Sequence, residues 1–236
     1  MIEANQGKKL GIVAEGAQWL RLPIKTRVLN PGDDLFGALE QYAVPELEPD
    51  DILFVSEKVV CITQNRIIPF KDIHPSWLAR LLASRVKNYF GTKDFHGFGH
   101  GTSLAMQLLI EETGYPRALF AALAGAITRP LGIHGAFYYL CGKEAKSVDC
   151  PMSFAIVPYT HYAKRSPLDA DGVARDIKNR FGVEAVIVDS NYRGAFSLGR
   201  SSRGISESFI QALMRDNPAG QGDEMTPFII ARRGVA

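Results

Sequence analysis

Asp189, Ser190 and Asn191 end an apolar run in the stretch AVIVDSNYRG, residues 185–194. A strand that stops in a row of oxygens either closes a turn, with Asp and Asn bonding their own backbone, or holds something positive. A carboxylate beside a hydroxyl suits a hard divalent cation, which prefers oxygen ligands. The carboxyl end of a strand is also where α/β sheets commonly place ligands. Taken alone, the stretch leaves both readings open.

Other stretches have weaker chemistry. In HGFGHG, residues 96–101, three glycines alternate just before a helix start, where free N–H groups favour an anion. No Gly-Lys-Ser/Thr follows, so this is not a Walker loop. His96 and His100 have the i, i+4 spacing of a zinc pair, but the glycines argue against a helix and H-E-x-x-H is absent. AGQGDE sets Gly220, Gln221 and Gly222 before Asp223 and Glu224, and such a loop can approach a phosphate–metal unit or simply be surface. Asp149 lies beside Cys150, whose thiol is reactive only with a lowered pKa and a nearby His, such as His134 or His161. GRSSRG, residues 199–204, is one residue too long for a G-x-S-x-G elbow, which removes the serine hydrolase reading.

The elements that must carry these residues follow from patterning. LGIVA and WLRLPIKTRVL read as strands around a turn at Gly16-Ala17-Gln18. Asp33 and Asp34 precede Leu35, Leu39 and Tyr42 at helical spacing. DILFVS and KVVCIT read as two short strands, and SWLARLLASRVKNYF as an amphipathic helix. TSLAMQLLIEETG is a helix between a Thr102 or Ser103 cap and Gly114. PRALFAALAGAITRP reads as a buried apolar helix, and AFYYLC and SFAIVPY as strands. A helix over LDADGVARDIKNRFG, the strand EAVIVD, the helix GISESFIQALMRD and the strand TPFIIARR complete the chain. The order predicts a mixed α/β (α+β) class, too irregular for pure βαβ winding. One unit over residues 1–236 is expected, with a loose subdivision near 91–101.

Composition narrows the classes. At 236 residues, with 46% hydrophobic and 22% charged residues, the chain can bury a sound core. A net charge of +2, with both signs mixed, gives no footprint for nucleic acid. Three scattered cysteines predict neither disulfide framework nor zinc knuckle. Neither a signal-like segment nor a span of about 18 apolar residues is present, so a cytoplasmic protein with no membrane partner is expected.

Read together, the pieces resemble one family. PGDDLFGAL and LEPDDILFVSEKVVCITQNRII are similar to the N-terminal signature of the coenzyme F420-0:L-glutamate ligases, or γ-glutamyl ligases. VIVDSNYRG resembles that family's strand ending in Asp-Thr-x-Gly-Arg, and SVDCPM stands where it has A-G-I-D-x-S-N. PLDADGVARDIKNRF and AGQGDEMTPFII match two further segments in the same order. The resemblance implies a γ-glutamyl-ligase-like fold of mixed sheets with flanking helices, and an intertwined homodimer. It implies GTP as co-substrate, Mn2+ or Mg2+ as cofactor, and L-glutamate joined to a small-molecule carboxylate through an acyl phosphate. Carried onto this chain, the metal ligands would be Asp149, Asp189, Ser190 and Gln221. Nucleotide contacts would come from Val28, Leu29, Asn30, Ser56, Gly220, Gln221, Gly222, Asp223 and Glu224. Cys61 stands where the family pattern has lysine, and Met152 where it has asparagine. Those two departures motivate the alternative, a non-catalytic nucleotide- or metabolite-binding homologue. The block from HGFGHG to LCG has no good counterpart in the pattern.

Overall fold

The computed structural model describes residues 2–86, 101–150, 156–191, 194–220 and 222–234. Among them the chain opens with strands β1 (Gly11–Ala14) and β2 (Ala17–Ile24), helix α1 (Leu35–Tyr42), strand β3 (Ile52–Ser56) and helix α2 (Glu57–Thr63). Strand β4 (Ile67–Pro69) leads to helices α3 (Trp77–Ala83), α4 (Ser103–Thr113), α5 (Tyr115–Thr128), α6 (Ala136–Cys141) and α7 (Lys143–Lys146). Strand β5 (Tyr162–Lys164), helix α8 (Ala170–Phe181), strands β6 (Glu184–Asn191) and β7 (Gly194–Arg200), helix α9 (Glu207–Met214) and strand β8 (Phe228–Arg233) follow. The class is mixed α/β, of the α+β kind. Two compact units are present: residues 1–65 with 167–236, and residues 66–166.

The first unit is built on a six-stranded sheet in the order β1-β2-β8-β3-β6-β7. Only β3 and β6 run parallel; every other neighbouring pair is antiparallel. Both faces are covered, which is why β3, β6 and β8 read as continuous apolar runs. Leu53, Val55, Ala185, Ile187, Phe228 and Ile230 share one cluster with Leu39 of α1, Val60 of α2 and Ile177 of α8. The alternate residues Phe54, Val186, Val188, Ile229 and Ala231 pack with Phe209, Ile210 and Leu213 of α9. The period of two along a strand produces this division.

The N-caps expected from sequence are formed: Asp34 accepts from Phe36 N and Thr102 from Ala105 N, and Asp169, not singled out from the sequence, accepts from Gly172 N, each satisfying a helix donor that has no partner within its helix. Gly182 ends α8 in the left-handed region that favours glycine.

Four expectations are corrected. KVVCIT is not a strand but the body of α2: Val59, Val60, Cys61 and Ile62 are all buried, and a run buried all round shows no period to read. AFYYLC is helix α6, set between Gly135 (φ 86°) and Gly142 (φ 101°). Phe137, Tyr138 and Cys141 pack inward at helical spacing while Tyr139 stays exposed. In SFAIVPY, the described part around Val157-Pro158 is a turn, because proline has no N–H to give a ladder; the strand, β5, begins only at Tyr162. Helix α5 forms as expected but is not buried: only Ala118 and Ala121 are fully covered. Sequence reasoning also passed over β7, GAFSLGR, to which it assigned no element.

In the second unit β4 and β5 pair as a two-stranded sheet. Helix α4 is its hub, with Met106, Leu109 and Ile110 facing α3, α5 and α6, and Ala105 and Leu108 facing Ile73, Val148 and Ala163.

Candidate functional site

The parallel pair β3/β6 sets the geometry at one end of the first unit's sheet. Val55 pairs with Ile187 and Ser56 with Val188, so the next residues on the two strands are Glu57 and Asp189. Both apolar runs thus end, side by side, in a serine and a carboxylate: Ser56-Glu57 and Asp189-Ser190. Crevices at the carboxyl ends of parallel strands are ready ligand sites, because both chains leave the sheet there.

Asp189 does not close a turn. Strand β6 continues through it, with Asp189 opposite Phe196, Ser190 opposite Ala195 and Asn191 opposite Gly194. An extra residue on β7, Leu198, falls between the partners of Ile187 and Val188. It bends the pair without disturbing alternation along β6. Ile187 belongs to the cluster under α1, α2 and α8, and Val188 to the one under α9. Asp189 therefore emerges on the α2 side and Ser190 on the α9 side, where its Oγ donates to Met214 O at 3.3 Å. Asp189 is half-buried, and its carboxylate has no hydrogen bond or ion pair among the described residues. A carboxylate left open in this way fits a hard divalent cation.

The segments expected to touch nucleotide are tied to this end of the sheet by two backbone rungs. Ser56 N donates to Pro227 O at 2.9 Å, and Thr26 N, two residues before Val28, donates to Met225 O at 2.8 Å. These rungs bring the β2 exit, the end of β3 and the loop leading into β8 together. Leu29 is buried in the core and has only backbone to offer a ligand, whereas Asn30 is exposed. Asn30 N donates to Asp33 Oδ2 at 2.6 Å. Asp33 pairs with Arg27 at 2.7 Å, and Arg27 followed by that amide holds its carboxyl below the ordinary value.

The loop before β8 is pinned at its base and folded on itself. Asn5 Nδ2 bridges Pro218 O at 2.8 Å and Thr226 Oγ1 at 2.7 Å, and Thr226 Oγ1 donates to Ala219 O at 2.9 Å. Glu224 Oε2 accepts from Gly222 N at 2.6 Å. A Cβ on Gly220, at φ +76°, would lie 2.3 Å from Glu224 Cδ, so a side chain there would strain the backbone and displace the Glu224 carboxylate. Gly222 and Asp223 are exposed. Gln221 and Met152 lie outside the described residues, as does HGFGHG apart from Gly101.

Asp149 belongs to the second unit, where it forms a backbone bridge with Lys164: Lys164 N donates to Asp149 O at 2.9 Å and Asp149 N to Lys164 O at 3.1 Å. Lys164 is buried and its Nζ donates to Ser147 O. Next to Asp149, burial and then the Asp149 charge push the Cys150 thiol up to about 12, leaving it protonated and inert at neutral pH. All three cysteines are buried and free. Among the described residues no group of three or more His, Cys, Asp and Glu side chains is placed to hold a metal. None of the described helices is long and apolar enough to cross a membrane.

Glu57 is the group that sequence reasoning missed. It is 2% exposed and starts α2 directly after β3. The signal was available in FVSE and VVDS, two apolar strands ending in the same pair of residue types. Reading KVVCIT as a second strand hid it.

No curated protein matches the chain. Residues 23–115 match the family model described as F420-0:Gamma-glutamyl ligase, a span that takes in the β2 exit, α1, β3 and α2.

Proposed function

We propose that the protein is a GTP- and divalent-metal-dependent ligase that attaches L-glutamate, or another amino acid, to a small carboxylate. The carrying observation is the meeting of Ser56-Glu57 and Asp189-Ser190 at the carboxyl ends of a parallel pair, with the glycine loop before β8 tied to the same place. The γ-phosphoryl group of GTP would pass to a carboxylate oxygen, giving an acyl phosphate and GDP. The amine of glutamate then attacks the acyl carbon; an amide forms, phosphate leaves and one proton is released. Phosphoryl transfer of this kind needs positioning and charge neutralisation above all. A bound Mn2+ or Mg2+ supplies the neutralisation. On this reading Asp189 is a carboxylate toward that ion and Ser190 an accompanying oxygen donor; the resemblance adds Asp149 and Gln221 to the same set. Val28 to Asn30, Ser56 and Gly220 to Glu224 hold the nucleotide.

Calorimetry with GTP and Mn2+ tests the reading. Asp189→Asn is expected to lower metal-dependent nucleotide affinity at least tenfold while leaving the thermal transition in place, since its carboxylate has no partner to lose among the described residues. Unchanged affinity in that variant would remove the metal role.

A second reading, a binding homologue that no longer ligates, draws on Cys61. Where the family pattern has a lysine, this side chain is fully buried within α2 and brings no cation toward phosphate. Phosphate release on adding glutamate and candidate acids separates the two readings: a ligase turns GTP over, and a sensor only binds it.

A further inference from the structure

Asn217 gathers three local costs in one residue. It is 2% exposed, it lies in the left-handed region at φ 50°, and Pro218 directly after it restricts its backbone further. Its Nδ2 donates to Gly220 O at 2.6 Å. A carbonyl can only accept, so this contact fixes which end of the amide is nitrogen and turns Oδ1 the other way. Oδ1 is then buried without a donor among the described residues. A left-handed backbone and an unfilled buried acceptor both cost stability, and such costs gather where a residue has work beyond packing.

The bonds of Asn217 run in two directions. Its N donates to Met214 O at 2.9 Å, at the end of α9. The same carbonyl accepts from Ser190 Oγ at 3.3 Å. From Ser190, an oxygen proposed for the metal, a path of hydrogen bonds therefore runs through Met214 O and both nitrogens of Asn217 to Gly220, where the glycine loop begins. The end of α9 is itself held: buried Arg21 donates to Leu213 O at 3.0 Å and pairs with Asp216. Asn5 braces the loop separately, from Pro218 and Thr226.

We infer that Asn217 is a positioning residue that couples the end of β6 to the nucleotide loop, so that a divalent ion at Ser190 and a nucleotide at residues 220–224 strengthen each other's binding. The inference rests on the ligase reading and deepens it. A hydroxyl whose oxygen lies against a cation is a stronger donor and draws its acceptor closer. Asn217 N shares that acceptor. With its backbone confined by Pro218, the shift passes to the side-chain amide and so to Gly220. Coupling of this kind is reciprocal, the nucleotide raising affinity for the ion by the same factor.

Calorimetry of GTP binding to the full chain, with Mn2+ and with EDTA, gives the factor by which the ion raises affinity. Asn217→Gly keeps the left-handed backbone accessible and removes the amide; the factor is expected to fall at least about fivefold. Asn5→Ala, which loosens the loop on its other side, should keep the wild-type factor. If Asn217 only supported the fold, the two variants would behave alike. Ser190→Ala should lower the factor by itself, and adding Asn217→Gly should lower it no further, because both act on one path. Hydrogen exchange supplies a readout that needs no variant of Asn217 and decides the matter if Asn217→Gly does not fold. Mn2+ alone should slow exchange of the Gly220 and Gly222 amides in wild type and leave it unchanged in Ser190→Ala. A wild type that binds GTP, with an unchanged factor in Asn217→Gly, overturns the inference and leaves the ligase reading standing. Loop exchange indifferent to Mn2+ does the same. A wild type that binds neither GTP nor Mn2+ removes both.

Discussion

The two units solve the burial problem differently. In the first, a six-stranded sheet has helices on both faces, and its apolar residues divide between two filled clusters. In the second, helices cluster around α4, and one of them keeps an apolar side uncovered. Strands covered on both faces, as β3, β6 and β8 are, must be apolar nearly throughout, whereas the outer strand β1 alternates and leaves Val13 exposed. A helix at the margin of a bundle has two faces with independent fates, and composition does not say which is covered. The first unit's packing should therefore tolerate almost no change of volume, and the second unit's margin should tolerate a good deal.

The largest expected effect is at Gly199. A Cβ there would lie 2.1 Å from the backbone carbon of Ala170, so β7 and the start of α8 touch main chain to main chain. Gly199→Ala must push the helix off the sheet and is expected to cost about 3–5 kcal/mol. Guanidinium unfolding checks it, and a loss under 1 kcal/mol would mean that the contact between α8 and β7 is slack.

Much of the first unit could be read in advance because local signals and tertiary context agree there. Asp34 and Gly182 bound helices whose apolar spacing is clear, and β6 and β8 are apolar runs too short for helices. Where the reading failed, a local cue was ambiguous. Val59 to Ile62 combine β-branched residues with burial on all sides. Phe137 to Leu140 are aromatic enough for a strand, yet the glycines on either side set a helix of six residues. Strand β7 is concealed by Gly194, Ser197 and Gly199, and Ser197 is placed in the sheet by Glu207, which accepts from its N at 2.9 Å and its Oγ at 2.6 Å. At the candidate site, Asp189 stood out by its position after an apolar run, while Glu57 needed the β3/β6 register to be noticed. No sequence pattern states which strands will be neighbours.

Arginine–carboxylate pairing stabilises both units, and its removal compares them at the next level. Arg232 holds Asp51, 1% exposed, through Nε at 3.0 Å and Nη2 at 2.8 Å. Arg232→Met leaves that carboxylate buried with, among the described residues, only the Glu48 amide, and about 3 kcal/mol should be lost. In the second unit, Glu112 bridges Arg66 at 2.6 Å and Arg165 at 3.1 Å. Because Glu112 is itself 10% exposed, against 1% for Asp51, water can replace more of what Glu112→Gln removes. A loss of roughly half that size is expected by the same denaturation assay.

Acid should separate the units further. Burial raises the carboxyls of Asp216 and Glu184, but hydrogen bonds and charge from Arg21, and from Lys178 with Ser201, outweigh it and leave both below their ordinary values. A carboxyl whose folded pKa is depressed contributes stability that is whole above its unfolded pKa and is lost as pH falls through the folded one. For these two groups the loss begins near the ordinary values of 3.8 and 4.5 and continues below them. In the second unit, the described groups with resolved shifts are Tyr138, Cys141 and Cys150, all raised and all uncharged in acid. Hydrogen exchange between about pH 5 and pH 3 should show β6 and α9 opening before α4, and Asp216→Asn should flatten the decline. Equal opening of both units would contradict the assignment of acid sensitivity to the first.

The smallest effect belongs to Gly125, the counterpart of Gly199 in a helix. Its added Cβ would meet Phe137 Cβ at 3.3 Å and Phe137 N at 3.7 Å, so the short helix α6 has only to yield by a few tenths of an ångström. Alanine inside a helix is favoured over glycine by up to about 1 kcal/mol, because less backbone entropy is lost on folding. The two terms nearly cancel, so Gly125→Ala should change stability by less than about 1 kcal/mol in either direction. Both sites carry the same substitution, and only the room opposite differs: backbone at 2.1 Å at one, the nearest atom at 3.3 Å at the other. If Gly125→Ala costs as much as Gly199→Ala, then α5 and α6 are as rigidly locked as the sheet and its helix. The contrast between a closed unit and one with a free margin would then be confined to the outer face of α5.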